Sequence, residues 1–369
     1  MNKKNDYNEI KLMLCASKTN LSCPDVEKIA TYINKAMDWQ FMLSNLNKHG
    51  VSNLVYRNLN KMNFDEKIPS FICSKFRKNY SLTVNENLRL WSKFIYLQRI
   101  LEKEKIKIIP FKGILLFDSL YHDPGLRPMV DIDILVQEKD LFNAKNIILN
   151  LGYKATSENL SYEYRRKFHC HFTFQNPERN ILLELHWAFA PPRPNRIDLT
   201  EVWQRAELRK IDNQEVLTLT LEDTLLSLCI NFCKNIPNLQ SIPLKNLVDI
   251  HEIIYQHNDK LDWNYIINKL TQWRIKGCFY YLYSLTKNLL ETPWPEEIIK
   301  QIYPPILQRK VLNFYDSKLE HRSQIQVILL MMLMLDSSID TIKLTFKLIA
   351  QAFSIFIQSE RTFSAYLKR

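Results

Sequence analysis

Five glycines in 369 residues constrain this chain more than any other feature. Ordinary usage of about 7% would supply roughly 26. The five are Gly50, Gly113, Gly125, Gly152 and Gly277. Glycine is the residue of positive φ and of close backbone approach, so a chain this poor in it has few tight turns. That argues against a many-hairpin sandwich or barrel, and against a protein built on several Gly-rich phosphate loops. A mostly helical chain is expected. One more intricate segment is expected where Gly113, Gly125 and Gly152 cluster.

Apolar residues make up 46% and aromatics 12%, ample for a packed core, so disorder is not the expectation. The net charge is +11. Such a balance suits nucleic acid, a membrane surface or a phosphorylated ligand. The lysines are scattered among Asn, Gln and Glu without a long basic block, so a dedicated nucleic-acid groove is not expected. Seven cysteines, an odd number with no Cys-x-x-Cys, read as reduced cytoplasmic usage. The N-terminus lacks an apolar signal core. The longest apolar run, Val327 to Leu335, has nine residues and stops at Asp336, whereas a membrane span needs about 20. A soluble cytoplasmic protein with no transmembrane segment is expected. The aromatic C-terminus (Phe346, Phe353, Phe356, Phe363, Tyr366) reads as packing.

Residues 8 to 100 read as helices. Ser22 is placed to cap one helix, with Pro24 in its first turn. Trp39, Met42, Leu43 and Leu46 keep helical spacing up to Gly50, a C-terminal cap. Leu88, Trp91, Ile95 and Ile100 mark a longer helix. The pattern then changes. Ile106 to Phe111 is short and β-branched, hence a strand, and Lys112-Gly113 is a turn. Ile114 to Tyr121 is helical, and His122 to Met129 is a loop. Asp131 to Val136 alternates strictly, as a half-buried strand does. Lys139 to Leu149 is a helix closed by Gly152. Phe168 to Phe174 and Ile181 to Phe189 are strands joined by a turn at Asn176-Pro-Glu-Arg179. A short strand pair lies near 208–217, and helices run from Thr220 to the end. Three regions follow: residues 1–100 helical, 101–218 the mixed core, and 219–369 helical.

Within a strand, residues i and i+2 share a face. Asp131 and Asp133 therefore point one way, and Ile132, Ile134 and Val136 the other. Two carboxylates about 7 Å apart on one strand face are costly unless cations sit between them. That layout holds divalent metal for phosphate chemistry. Glu184 and His186 share a face of a later strand, and Glu184 stands alone as a charge in an apolar run. It is a candidate third carboxylate. A hairpin centred on Pro177–Glu178 would set His171 opposite Glu184 and His169 opposite His186, all on one face; a one-residue slip would undo this. Gly113 at a strand-to-helix turn lets backbone N–H groups approach a phosphate. Lys112 and Arg127 are candidates to add charge-assisted bonds.

Phe111-Lys-Gly113, the run Leu126-Arg-Pro-Met-Val-Asp-Ile-Asp-Ile-Leu-Val136 and Leu183-Glu-Leu-His-Trp187 resemble the bacterial "uncharacterised nucleotidyltransferase" family of the DNA polymerase β-like nucleotidyltransferase superfamily. Asp38-Trp39, His49-Gly-Val51, Leu221-Glu-Asp-Thr-Leu-Leu226 and Leu247-Val-Asp249 extend the resemblance over about residues 30 to 260. It implies an α+β fold: a small mixed nucleotidyltransferase sheet with flanking helices, embedded between N- and C-terminal helical regions. It implies that Asp131, Asp133 and Glu184 bind metal, and that Gly113 is the glycine of the nucleotide-binding turn. Many superfamily members have Gly-Ser there; here Ile114 follows Gly113, so Lys112 and Arg127 are the candidates for phosphate. The family often carries histidines in the helix after Leu-x-x-Glu-Asp, where this chain has Asn231 and Cys233. His169, His171 and His186 complete the candidate ligand-binding set.

The expected activity is Mg2+-dependent (or Mn2+-dependent) transfer of a nucleoside monophosphate from a nucleoside triphosphate (NTP) to an acceptor by a two-metal mechanism. The acceptor is open: a small molecule, a peptide or protein, or RNA. Oligomeric state is open as well. Two other readings compete. A metal-dependent glycosyltransferase also uses Asp-x-Asp, and predicts a larger parallel sheet before the motif. A degenerate nucleotidyltransferase core serving as a binding scaffold accords with the missing Gly-Ser.

Overall fold

The computed structural model describes residues 6–156, 162–178, 180–192, 197–211, 213–235, 243–306, 309–310 and 336. The sequence readings at the extreme N-terminus, at Val327–Leu335, at Arg179 and in the C-terminal aromatics lie outside the described residues.

Five helices come first: α1 (Asp6–Ala16), α2 (Cys23–Ile33), α3 (Trp39–His49), α4 (Ser52–Lys61) and α5 (Ser70–Lys103). Their ends follow local chemistry. The Ser22 hydroxyl accepts from the Asp25 N–H while the Asp25 carboxylate accepts from the Ser22 N–H, a reciprocal cap that opens α2. Asp38 caps α3 by accepting from the N–H groups of Gln40 and Phe41. Gly50 ends α3 at φ +70°, a conformation that costs a side chain, and a Cβ there would lie 2.7 Å from Lys245 Cδ. The fifth helix has 34 residues; its buried side runs from Ile72 to Leu101, and its exposed face carries Leu82, Leu88 and Tyr96 as well as charges.

The central segment holds β1 (Ile108–Pro110), α6 (Gly113–Leu116) running into a π-helical turn at Phe117–Tyr121, β2 (Asp131–Val136), α7 (Leu141–Asn150), β3 (Lys154–Ala155), α8 (Tyr162–Phe168), β4 (His171–Gln175) and β5 (Leu182–His186). The sheet order is β1-β2-β5-β4-β3. Only β2 and β5 run parallel; the other neighbours are antiparallel. After α9 (Thr200–Arg205) come β6 (Glu207–Ile211) and β7 (Gln214–Thr218), a separate two-stranded ribbon at the expected place. Helices α10 (Leu221–Asn235), α11 (Leu244–His257), α12 (Trp263–Trp273), α13 (Lys276–Leu290) and α14 (Glu296–Ile299) follow. The Asp336 carboxylate accepts from the N–H groups of Lys276 and Gly277 at the start of α13.

The sheet divides two cores. Ile132, Ile134 and Val136 pack with Leu183, Leu185, Leu97 and Ile148 on one side. Leu135, Ile109 and Phe189 join the core of α1 to α4 and α10 to α13 on the other. The strict alternation of β2 thus faces two hydrophobic masses, and its acids point toward the α10–α11 side. The architecture is α+β, a small mixed sheet with flanking helices, as the sequence implies. With one parallel pairing and helices before the Asp-x-Asp strand, the described residues hold no larger parallel sheet of the kind the glycosyltransferase reading predicts. Among the described residues no helix is long and apolar enough to cross a membrane.

Candidate active site

The parallel register sets Asp133 directly beside Glu184, Asp131 beside Leu182 and Leu135 beside His186. Asp131, Asp133, His171 and Glu184 line one cavity of about 260 Å³. Its far wall comes from α10 and α11, which contribute Asn231, Lys234, Lys245 and Asn246.

Asp133 is nearly buried, and Lys112 and His186 hold it. Lys112 Nζ lies 2.5 Å from its Oδ1 and 3.6 Å from Glu184 Oε2. His186 Nε2 lies 2.9 Å from Asp133 Oδ1 and 2.9 Å from Glu184 Oε2. Burial and Lys112 work against a charged His186, but the neighbouring Asp133, Cys170 and Glu184 outweigh them and raise its pKa to about 9. Burial likewise opposes charge on Asp133 and Glu184, yet the neighbouring cations win: Lys112 and His186 for Asp133, His186 and His171 for Glu184. Both carboxyls stay below their ordinary range.

Asp131 differs. Among the described residues it has no ion-pair or hydrogen-bond partner. Burial and the Asp133 charge push it up to about 6. It is the one acid of the three left short of positive charge.

The histidines sit two residues away from the expected register. His171 pairs with His186, and Thr173 with Glu184. The reason is the turn: Asn176 Oδ1 accepts from the N–H groups of Asn180 and Ile181, which moves the hairpin centre one residue toward the C-terminus. A two-residue shift preserves faces, so His171 still reaches the site, with Nε2 3.7 Å from Glu184 Oε1 and its ring 4.7 Å from that of His186. His169 does not. It precedes β4, its N–H donates to Arg165 at the end of α8, and its ring lies 6.2 Å from Tyr164.

At the turn before α6, Lys112 has positive φ (+56°), not Gly113. A lysine in that region is strained, and such strain concentrates at functional sites. Gly113 answers to packing instead: a Cβ would lie 3.0 Å from Arg127 Nη1 and 3.2 Å from Met129 Cγ. Arg127 is fixed. Its Nε and Nη2 each donate to Asp249 over 2.7 Å, and Tyr121 donates to the same carboxylate. Arg127 is thus a brace between the 122–129 loop and α11, with Nη1 turned toward Gly113. The loop is pinned from the other side by Asn87 of α5. Its Nδ2 donates to the carbonyls of Pro124 and Arg127, and its Oδ1 accepts from the Met129 N–H.

Sequence reasoning missed Lys234, Lys245 and the role of Asp249. Lys234 Nζ bonds the Phe189 carbonyl at 3.4 Å, and Lys245 Nζ the Pro128 carbonyl at 3.4 Å. Neither has a carboxylate within 4 Å among the described residues. Burial pulls both below the usual lysine range. The signal was faint: Lys234 is the single cation in the run from Leu225 to Lys234. Cys170, also missed, is buried with Sγ 3.6 Å from His171 Nδ1 and 3.9 Å from Lys234 Nζ.

Residues 35–291 match the sequence profile described as "uncharacterised nucleotidyltransferase". Among solved structures, an antigenic nucleotidyltransferase-like protein from Paracoccidioides brasiliensis is similar over 50% of this chain and 88% of its own, at 16% identity and a TM-score of 0.31. No curated protein matches the sequence. The profile spans well over half of the chain and includes every residue of the cavity: the chain belongs to the uncharacterised nucleotidyltransferase family.

Proposed function

We propose that the chain transfers a nucleoside monophosphate from an NTP to an acceptor, with Mg2+ or Mn2+ held by Asp131, Asp133 and Glu184. The observation that carries this reading is the side-by-side placement of Asp133 and Glu184 on parallel strands, with Asp131 on the same face of one cavity. The donor set fits a hard cation. It consists of carboxylate oxygens, and Asp131 lacks the positive charge its surroundings demand. A metal held there would supply positive charge to the triphosphate and Lewis acidity to the acceptor oxygen.

The chain's own residues do the rest. Lys234 and Lys245 are half-buried ammonium groups without carboxylate partners among the described residues, suited to phosphate oxygens. Lys112 bridges Asp133 and Glu184 and lies close enough to add a further charge. His186 donates through Nε2 and keeps both acids oriented. Glu184, held ionised by His186 and His171, would hold the cation on the acceptor side, and the acceptor's proton passes to solvent as the acceptor oxygen bonds to the α-phosphorus and the bond to pyrophosphate breaks. Gly113 leaves room at the turn for Arg127 and Met129, so that the loop carrying Asp131 seats against it.

The binding-scaffold reading has one observation in its favour, the Lys112 ammonium seated on Asp133. Calorimetry with Mg2+ and each NTP separates the two. Labelled NTPs incubated with cell extract then reveal the acceptor: labelling by wild type that is absent with Asp133→Asn supports the enzyme. Absence of NTP binding in wild type overturns it.

A further inference from the structure

Behind the carboxylates lies a second group of ligand atoms. One atom each from Cys170, His171 and His186 lies within 4.8 Å of the others. Cys170 and His186 are almost wholly buried, and His171 is half-buried. The group straddles the antiparallel pair β4–β5, where His171 and His186 are direct partners. Cys170 adjoins the first residue of β4, and the carbonyl of Cys170 accepts from the Trp187 N–H.

Three features point to a metal. First, the spacing is that of a coordination polyhedron. Zinc–sulfur and zinc–nitrogen bonds of about 2.3 and 2.05 Å at tetrahedral angles put S and N about 3.5 Å apart. Cys170 Sγ and His171 Nδ1 are 3.6 Å apart.

Second, each histidine turns one nitrogen to a carboxylate. His186 Nε2 lies 2.9 Å from both Asp133 and Glu184, and His171 Nε2 lies 3.7 Å from Glu184. His186 shows the arrangement of a metal-bound histidine, in which a hydrogen-bonded carboxylate fixes the tautomer and leaves the other nitrogen to bind, while His171 is within ion-pair reach of Glu184. That leaves Nδ1 of His171 beside the thiol.

Third, Nδ1 of His186 is wholly buried and makes no hydrogen bond of normal geometry. A buried imidazole nitrogen without a partner is costly. A cation shared with Cys170 and His171 satisfies it.

We propose that Cys170, His171 and His186 bind a borderline-soft divalent cation of the zinc type, distinct from the hard cation held by the three carboxylates. Thiolate and imidazole donors select such a metal over magnesium. Three protein ligands leave a fourth position open. Lys234 Nζ, 3.9 Å from Sγ, is placed to donate to the bound thiolate. The metal clamps β4 to β5 and locks His186 so that Nε2 donates to Asp133 and Glu184. His186 is the link between the two sites, and the clamp makes the acidic site rigid.

The test reads metal directly and does not rest on nucleotidyl transfer. Full-length protein, stripped with chelator, is titrated with Co2+ and then Zn2+. The expected result is one tight equivalent, a thiolate-to-cobalt charge-transfer band, and bleaching of that band by Zn2+. Cys170→Ser should lose the band and weaken binding at least 10-fold, with an unchanged circular dichroism spectrum. Asp131→Asn, which touches none of the three ligands, should keep the band while losing Mg2+-dependent turnover. If Cys170→Ser alters the fold, the His171→Gln variant, which keeps the thiolate, should weaken Co2+ binding at least 10-fold. The proposal is overturned if wild type binds no tight equivalent. It is equally overturned if the band persists in Cys170→Ser, which assigns the metal to another of the cysteines.

Discussion

Arg127 and Asp249, 122 residues apart in sequence, meet through two hydrogen bonds of 2.7 Å inside the protein. Burial alone would favour a neutral Arg127, but Asp249 outweighs it and raises the arginine's pKa further. The pair ties the loop that delivers Asp131 to the helix that delivers Lys245. Removing one partner strands a buried charge. Asp249→Ala or Arg127→Ala should each cost about 3–5 kcal/mol, read as a lower urea midpoint, and the double variant should cost much less than the sum. Additive losses would show that the pair is not coupled.

Asn87 is wholly buried and makes three bonds to the loop at 124–129. Asn87→Ala leaves two carbonyls and one N–H unpaired in the interior. The expected loss is about 2–4 kcal/mol, together with weaker NTP binding, because the loop positions Asp131. Chemical denaturation and calorimetry on the same variant check both.

Asp131→Asn or Asp133→Asn should reduce Mg2+-dependent pyrophosphate release at least about 100-fold, the scale on which removing one preorganised charge is felt. Full activity in either variant would remove the assignment of the metal-binding acids.

A carboxyl raised to about 6 in the folded chain, against about 3.9 when unfolded, binds its proton more tightly when folded. Its contribution to stability is therefore lost as pH rises from about 4 to about 6. Without divalent metal, Asp131→Asn should be more stable than wild type at pH 8, by on the order of 3 kcal/mol, and similar at pH 4. Mg2+ should raise the Tm of wild type at pH 8 and leave the variant unmoved. Thermal scans at the two pH values decide this.

Gly113→Val places new atoms against Arg127 Nη1 and Met129. NTP binding should fall at least about 10-fold while helical circular dichroism is retained. Normal binding would separate Gly113 from the phosphate turn.

Local signals were legible in the sequence. The Ser22 cap, the end of α3 at Gly50 and the alternation of Asp131 to Val136 each depend on residues within a few positions of one another. Glu184 could be read because one charge interrupts an apolar strand. What was hidden depends on distant partners. Lys234 and Lys245 look like ordinary helical lysines until α10 and α11 fold over the sheet. Arg127 looked free for phosphate because its partner, Asp249, lies far along the chain. The histidine register turned on one asparagine, Asn176, whose side chain resets the hairpin. The strain at the turn fell on Lys112, although glycine is the residue that tolerates positive φ best.

The parallel pairing of β2 with β5 also sets an order of events. Asp133 and Glu184 are neighbours only after the 45 residues between the two strands, 137 to 181, have closed their loop. Contacts of such separation form late and slowly. A nascent chain that has emerged only as far as Ile181 carries both aspartates but no assembled site. On the proposed function, nucleotide is therefore captured only after synthesis has passed β5 and, for the lysines that face the acids, after α11.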